Sequence, residues 1–215
     1  MCGIAGILNT KKDIRKTILS LNLSIKHRGP DDSGYYYDLS KRIGLTMSRL
    51  SIIGIEEGRQ PKISSNKSIV LFFNGEIFNY KNLNKSFFPN KKFKSDTDIL
   101  LSMYERYGLN MMNYLNGMFS ICIYDKNKNK IFLIRDRFGI KPIYYYNNIN
   151  FVFSSEINSI KKIFSNELKL KKESISDYLS LGCTEGQNTI YEGVYKINPG
   201  EFLSYDIKSK SLKTT

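Results

Sequence analysis

The chain has 215 residues, 33 Lys and Arg against 20 Asp and Glu, and a formal net charge of +13. With 41% hydrophobic and 25% charged residues, it has the balance of a globular chain long enough to bury a core, which excludes wholesale disorder. Its apolar runs stay near the length of 69–73, far short of the roughly 18–20 residues of a membrane span, and three scattered cysteines, Cys2, Cys122 and Cys183, make neither a disulfide framework nor a zinc site. Behind Cys2, the residues Ile4, Ala5, Ile7 and Leu8 read as a buried strand. Ile14, Ile18, Leu21 and Ile25 recur at helical spacing and predict a helix over 13–26, stopped by Gly29-Pro30. The stretch 43–53 reads as a strand with a charged Arg49 inside it. The stretch 69–73 reads as a short apolar strand ended by an Asn74-Gly75 turn. A second helix is predicted over 95–107. Ser95 and Asp98 stand at capping-box spacing, and Ile99, Leu100, Met103 and Tyr107 form the apolar face. Two hairpins follow, 118–124 with 131–135 and 143–146 with 151–154. Short helices over 155–164 and 173–181, then strands over 194–197 and 201–207, complete the pattern.

Grouped strands and frequent hairpins favour a mostly antiparallel α+β fold over a doubly wound parallel sheet. There is no internal repeat, no Gly-x-Gly-x-x-Gly after a strand and no P-loop. The start Met1-Cys2-Gly3-Ile4 lacks the basic region of a signal peptide. The unpaired cysteine pattern predicts a reduced, cytoplasmic setting. The +13 charge invites a nucleic-acid reading. The lysines are spread along the chain, however (Lys11-Lys12, Lys91-Lys92, Lys161-Lys162, Lys171-Lys172), with no helix-turn-helix, zinc-finger, RRM-type or KH-type signature. Neither nucleic acid nor membrane is expected as a partner.

Cys2 is the residue with the most chemistry to offer. Removal of Met1 would give it a free α-amine, whose ordinary pKa of roughly 7.7–8.0 suits a base near neutral pH. A thiol, at about 8.5, needs such help to become a nucleophile. The bland reading is a terminal cysteine with no role. His27 is the only histidine; beside Arg28 at a helix end it suits a structural hydrogen bond, and no cluster has metal-ligand spacing. An Asn74 amide and the Gly75 N–H can converge on one oxygen, as an oxyanion hole requires, or they can form an ordinary turn. Arg49 in an apolar strand suits a ligand carboxylate or a salt bridge. Asp96 at a helix start suits a ligand ammonium or the helix dipole.

Together these residues resemble the glutaminase domain of glutamine-hydrolysing asparagine synthetases, which are class II glutamine amidotransferases of the N-terminal-nucleophile hydrolase type. The resemblance runs through Met1-Cys2-Gly3-Ile4-Ala5-Gly6, His27-Arg28-Gly29-Pro30-Asp31-Asp32-Ser33-Gly34, Arg49-Leu50-Ser51-Ile52-Ile53, Gln60-Pro61, Asn74-Gly75-Glu76-Ile77-Phe78-Asn79-Tyr80, Ser95-Asp96-Thr97-Asp98, Gly117-Met118-Phe119, Arg135-Asp136-Arg137-Phe138-Gly139-Ile140-Lys141-Pro142 and Ser154-Ser155-Glu156. It implies a four-layer α-β-β-α sandwich with largely antiparallel sheets. It also implies that Cys2 attacks the carboxamide of L-glutamine, with its own amine as proton shuttle, to form a γ-glutamyl thioester. Asn74 and Gly75 would hold the oxyanion and Arg49 the α-carboxylate. The main chain of Leu50, Ser51, Ile52 and Ile53 would line the pocket, Glu76 and Asp96 would hold the α-ammonium, and Asn79 would support the loop. Phe78 stands where the family usually has Tyr.

The family's synthetase domain, with its Ser-Gly-Gly-x-x-Ser loop, is missing from the sequence. Residues 1–215 are therefore expected to be one glutaminase domain, a fragment whose acceptor half lies in the same or a separate chain. No cofactor is expected in this domain; ATP and Mg²⁺ belong to the synthetase half, which makes asparagine or a related amide. A homodimer is possible on the resemblance. The competing reading is a stand-alone or degenerate domain that binds glutamine without turnover.

Overall fold

The computed structural model describes residues 2–52 and 57–215. In chain order it forms β1 (Gly3–Leu8), α1 (Ile14–Ile25), β2 (Asp32–Asp38), β3 (Ile43–Arg49), β4 (Lys62–Ile63), β5 (Ile69–Ile77), α2 (Tyr80–Phe87) and α3 (Asp96–Tyr107). These are followed by β6 (Gly117–Asp125), β7 (Lys130–Arg135), β8 (Tyr144–Asn147), β9 (Phe151–Ser154), α4 (Ile157–Ile163), α5 (Lys172–Leu181), β10 (Val194–Lys196), β11 (Phe202–Asp206) and β12 (Leu212–Thr214). The strands make two sheets, ordered β10-β8-β9-β1-β3-β2 and β12-β11-β7-β6-β5-β4. Each pairing between neighbouring strands is antiparallel.

Alternation along each strand sorts its side chains into layers. Ile4 and Leu8 of β1 meet Val70 and Phe72 of β5 and Cys122 and Tyr124 of β6 in the core between the sheets. From the opposite face of β1, Ala5 and Ile7 pack on Ile18, Leu21 and Ile25 of α1 and Ile160 of α4. From the opposite face of β5, Leu71 and Phe73 pack on Ile99, Leu100 and Met103 of α3. Helix, sheet, sheet and helix thus stack as four layers, the architecture that the resemblance implies.

Several elements depart from the sequence reading. β5 does not end at Phe73. It runs on through Asn74 and Gly75 to Ile77, paired with Ser120, Phe119 and Gly117 of β6, so ladder pairing overrides the local turn preference of Asn-Gly. β3 stops at Arg49, and Ile53 lies outside the described residues. α4 begins only at Ile157, because Ser155 exchanges hydrogen bonds with Ile4 (Ser155 N to Ile4 O, 2.8 Å; Ile4 N to Ser155 Oγ, 3.0 Å). β10 and β11 belong to different sheets, so the Asn198-Pro199-Gly200 turn crosses between layers. The Ser95 hydroxyl accepts from Asp98 N at 3.2 Å. The Asp98 carboxylate turns to Lys62 at 2.6 Å and leaves the capping box half made. β2, β4, α2 and β12 carry sequence signals too weak to predict them.

The turns at 39–42, 64–68, 126–129 and 207–211 gather at the end of the sandwich opposite Cys2. Lys41 donates to Asn129, Lys126 N to Ser68 O and Ile207 N to Asn129 O. Lys41, Arg42, Lys67, Lys126, Lys128, Lys208 and Lys210 thus form a basic pole remote from Cys2. Among the described residues no helix is long and apolar enough to cross a membrane.

Candidate active site

Cys2 leads directly into β1, where Gly3 pairs with Ser48 of β3. Its thiol lies against the main chain just past β3: the Leu50 N–H donates to Sγ at 3.4 Å, and Sγ lies 3.6 Å from Leu50 O. Its carbonyl accepts from Arg28 Nε at 2.9 Å, and Arg28 Nη1 pairs with Glu156 at 2.5 Å. The nucleophile candidate is therefore held from two sides by elements far apart in sequence. Met1, whose removal would free the Cys2 amine, lies outside the described residues. His27 is exposed, 3.6 Å from Glu156, and does not line the cavity beside Cys2.

The loop 29–32 braces the end of β3. Asp31 N donates to Arg49 O at 3.1 Å, and the Asp31 carboxylate accepts from Ser51 N at 2.7 Å. The fit depends on Gly29, where a Cβ would sit 2.4 Å from the Arg49 carbonyl carbon. Arg49 is thereby fixed with a side chain only 4% exposed.

The extension of β5 supplies the opposite wall. Asn74 is buried; its Nδ2 lies 3.4 Å from Ser120 Oγ, while Oδ1 has no hydrogen-bond partner among the described residues. Gly75 crosses β6 so closely that a Cβ would meet Met118 O at 2.1 Å. Asp96, the first residue of α3, accepts from Ile77 N at 3.1 Å. Burial raises its carboxyl above the usual Asp range and the Glu76 charge adds to this, while N–H groups of Ile77 and Thr97 pull the other way.

Cys2, Arg49, Asn74, Gly75, Glu76 and Asp96 line one cavity of about 140 Å³, with Leu50 and Ile52 at its side. The structure thus brings together the residues singled out in the sequence, with three exceptions. Ser51 serves the Asp31 brace. Ile53 is outside the described residues. Asn79 sits away from the cavity and ties the 114–116 segment to α2 (Nδ2 to Tyr114 O, 2.9 Å; Asn116 N to Oδ1, 3.0 Å).

Five lining residues carried no assigned role: the apolar Phe73 and Met118, and the polar Gln60, Thr97 and Lys141. Gln60 pairs with β5 like a strand residue, its amide bonding Phe73 N at 2.6 Å and Phe73 O at 3.0 Å. Thr97 follows Asp96 at the start of α3. Lys141 is 5% exposed and also lines the cavity. Burial, then the Arg28 guanidinium, push its ammonium below the usual Lys range; Cys2, Asp136 and Glu76 act in the opposite sense. The signal for Gln60 and Lys141 lay in motifs whose chemistry only the three-dimensional packing reveals. Among the described residues, no group of three or more His, Cys, Asp or Glu side chains could hold a metal ion.

The sandwich with Cys2 at its edge is the fold of the N-terminal-nucleophile amidotransferases. It superposes on the allosteric regulatory enzyme of purine biosynthesis with a TM-score of 0.70 at 19% identity, covering all of this chain and 48% of that one. For the glutamine phosphoribosylpyrophosphate amidotransferase of B. subtilis the TM-score is 0.69 at 20% identity, covering 100% of this chain and 49% of that one. Residues 1–214 match the glutamine amidotransferase domain model, and the chain belongs to that family.

Among curated relatives, it is 36% identical to the glutamine-hydrolysing asparagine synthetase 2 of Bacillus subtilis over 230 residues, which is 100% of this chain and 30% of that protein. It is 35% identical to the glutamine-hydrolysing asparagine synthetase 1 of the same organism, over 93% of this chain and 33% of that protein. It is 32% identical to the amidase chry2 of Gibberella zeae, over 94% of this chain and 32% of that protein. The chain spans about a third of the length of these relatives.

Proposed function

We propose that this domain hydrolyses L-glutamine to glutamate and ammonia through a Cys2 thioester. The observation that carries the reading is the single cavity shared by Cys2, Arg49, Asn74, Gly75, Glu76 and Asp96. Arg49 holds the α-carboxylate, and Glu76 with Asp96 holds the α-ammonium, which leaves the carboxamide facing Cys2. Sγ adds to the carboxamide carbon, and its proton passes through the α-amine of Cys2 to the departing nitrogen, which leaves as ammonia. Asn74 Nδ2 and the Gly75 N–H stabilise the oxygen that becomes negative. Water then adds to the thioester, the amine takes its proton, and the thiol is restored as glutamate leaves. Leu50 and Ile52 shape the wall, Ser51 acts through Asp31, and Asn79 fixes the start of α2.

The ammonia passes to an ATP-dependent synthetase domain, in this chain or another, that makes asparagine or a related amide; ATP and Mg²⁺ belong to that half. The identity to synthetases and to an amidase alike supports the donor half and leaves the acceptor class open between aspartate and other acids. Cytoplasmic location follows from the reduced-thiol chemistry.

Cys2→Ala is expected to abolish glutamate release while leaving the thermal transition in place; activity surviving that change rules Cys2 out as nucleophile. Intact-mass analysis is expected to show Met1 removed. An active protein that retains Met1 refutes the role of the amine as base.

A further inference from the structure

Lys141 is delivered to the cavity by a loop built from both of its polar faces. The buried Asp136 carboxylate accepts from Phe138 N at 3.1 Å, Ile140 N at 3.0 Å, Lys141 N at 2.9 Å and, across the sheet, Phe119 N at 3.2 Å. The carbonyls of the same loop are taken by Arg135, through Nη2 to Gly139 O at 2.6 Å and Nε to Lys141 O at 3.2 Å; its Nη1 reaches Ile197 O at 2.6 Å. A long cationic side chain held 5% exposed at the end of so constrained a loop is placed rather than merely tolerated.

The charges around it define what it meets. The proposed reading uses Arg49 for one end of a zwitterionic amino acid, and Glu76 with Asp96 for the other. Arg28 is engaged with Cys2 O and Glu156. Tyr144 of β8 lies opposite Ser154 of β9, which lies opposite Ala5 of β1, so the segment before Tyr144 runs level with the start of β1 and sets Lys141, which lines the cavity, on the Cys2 side, where the substrate side chain reacts. Glutamine is neutral at that end. The glutamate produced there carries a carboxylate.

We propose that Lys141 is a specificity-determining residue whose ammonium recognises the side-chain carboxylate of product glutamate, so that it governs product retention and inhibition. The inference rests on the proposed glutaminase reading. A carboxylate–ammonium contact at a buried lysine is favourable where a neutral carboxamide gains little. Lys141 therefore biases the site toward product after each turnover.

The test is isothermal titration of glutamate and of glutamine into the Cys2→Ala protein, in which neither ligand turns over, with Lys141, Lys141→Met and Lys141→Arg compared. Lys141→Met is expected to weaken glutamate binding about tenfold or more relative to glutamine, and Lys141→Arg to restore most of that ratio. Thermal melts establish that each variant is folded. If Lys141→Met does not fold, Lys141→Gln supplies the same neutralisation, and its comparison with Lys141→Arg decides. A glutamate-to-glutamine affinity ratio that is unchanged by neutralisation, or that falls equally with Arg, overturns the inference. If neither amino acid binds even with Lys141 in place, the glutaminase reading itself fails, an outcome distinct from a Lys141-independent ratio.

Discussion

Replacing Asp96 by Asn separates two properties that pull against each other in this cavity. Asp96 is 5% exposed, and its carboxyl is raised first by burial and then by the Glu76 charge. An acid raised by folding holds its proton more tightly in the native state than in the unfolded one. As pH climbs from the ordinary Asp range through the native-state value, the unfolded chain has released its proton while the native chain retains it. Stability falls across that window and stays lowered above it. Above that window the Asp96 carboxyl therefore contributes a net cost to the ligand-free domain.

Asn keeps an acceptor for the Ile77 N–H, now met at 3.1 Å, and carries no charge. The ligand-free Asp96→Asn protein is expected to melt higher at neutral pH, by about 2–4 °C for each 1 kcal/mol gained in a chain of this size. Its stability is also expected to lose the falling limb. The same variant forfeits a charge-assisted hydrogen bond to the substrate ammonium, worth about 1.5–3 kcal/mol and so about 10- to 150-fold in Kd. Calorimetric melts across pH, together with glutamine titration into a Cys2→Ala background, read both effects. A lower Tm at neutral pH, or unaltered glutamine affinity, refutes the reasoning.

Other residues test the remaining walls. Asn74→Ala is expected to lower kcat about 10²- to 10³-fold with a smaller change in KM; steady-state kinetics that show the loss in KM alone would remove Asn74 from the oxyanion site. Arg49→Ala is expected to weaken glutamine binding strongly, and an unchanged apparent affinity rejects the carboxylate clamp. Gly29→Ala would place a Cβ 2.4 Å from the Arg49 carbonyl carbon. It is expected to cost about 1–3 kcal/mol in urea unfolding and to raise KM as Arg49 shifts. Wild-type stability together with wild-type KM would show that the 29–32 loop does not brace the site.

Much of this protein is legible in its sequence. The periodic apolar residues of α1 and α3 and the hairpins β6–β7 and β8–β9 are local signals, because a helix face or a tight turn is encoded within a dozen residues. The resemblance located Cys2, Arg49, Asn74, Gly75, Glu76 and Asp96, which the fold collects around one cavity. What escaped is non-local. Asn74-Gly75 looks like a turn in isolation and becomes strand because β6 lies beside it. β2 is specified chiefly by its pairing with β3.

The sequence by itself determined the nucleophile candidate, the family and the layered α+β class. Its motifs keep their residue types because the chemistry of thiol, guanidinium and carboxylate does not depend on where the chain runs. Only the tertiary structure decided how the charges are apportioned. It gathered lysines from four distant turns into a pole away from Cys2. It turned Arg28 to the Cys2 carbonyl, and it set Lys141 in the same cavity as Cys2 on a loop held by Asp136 and Arg135. Charge acts through distance and burial, and both are properties of the fold that no run of neighbouring residues contains.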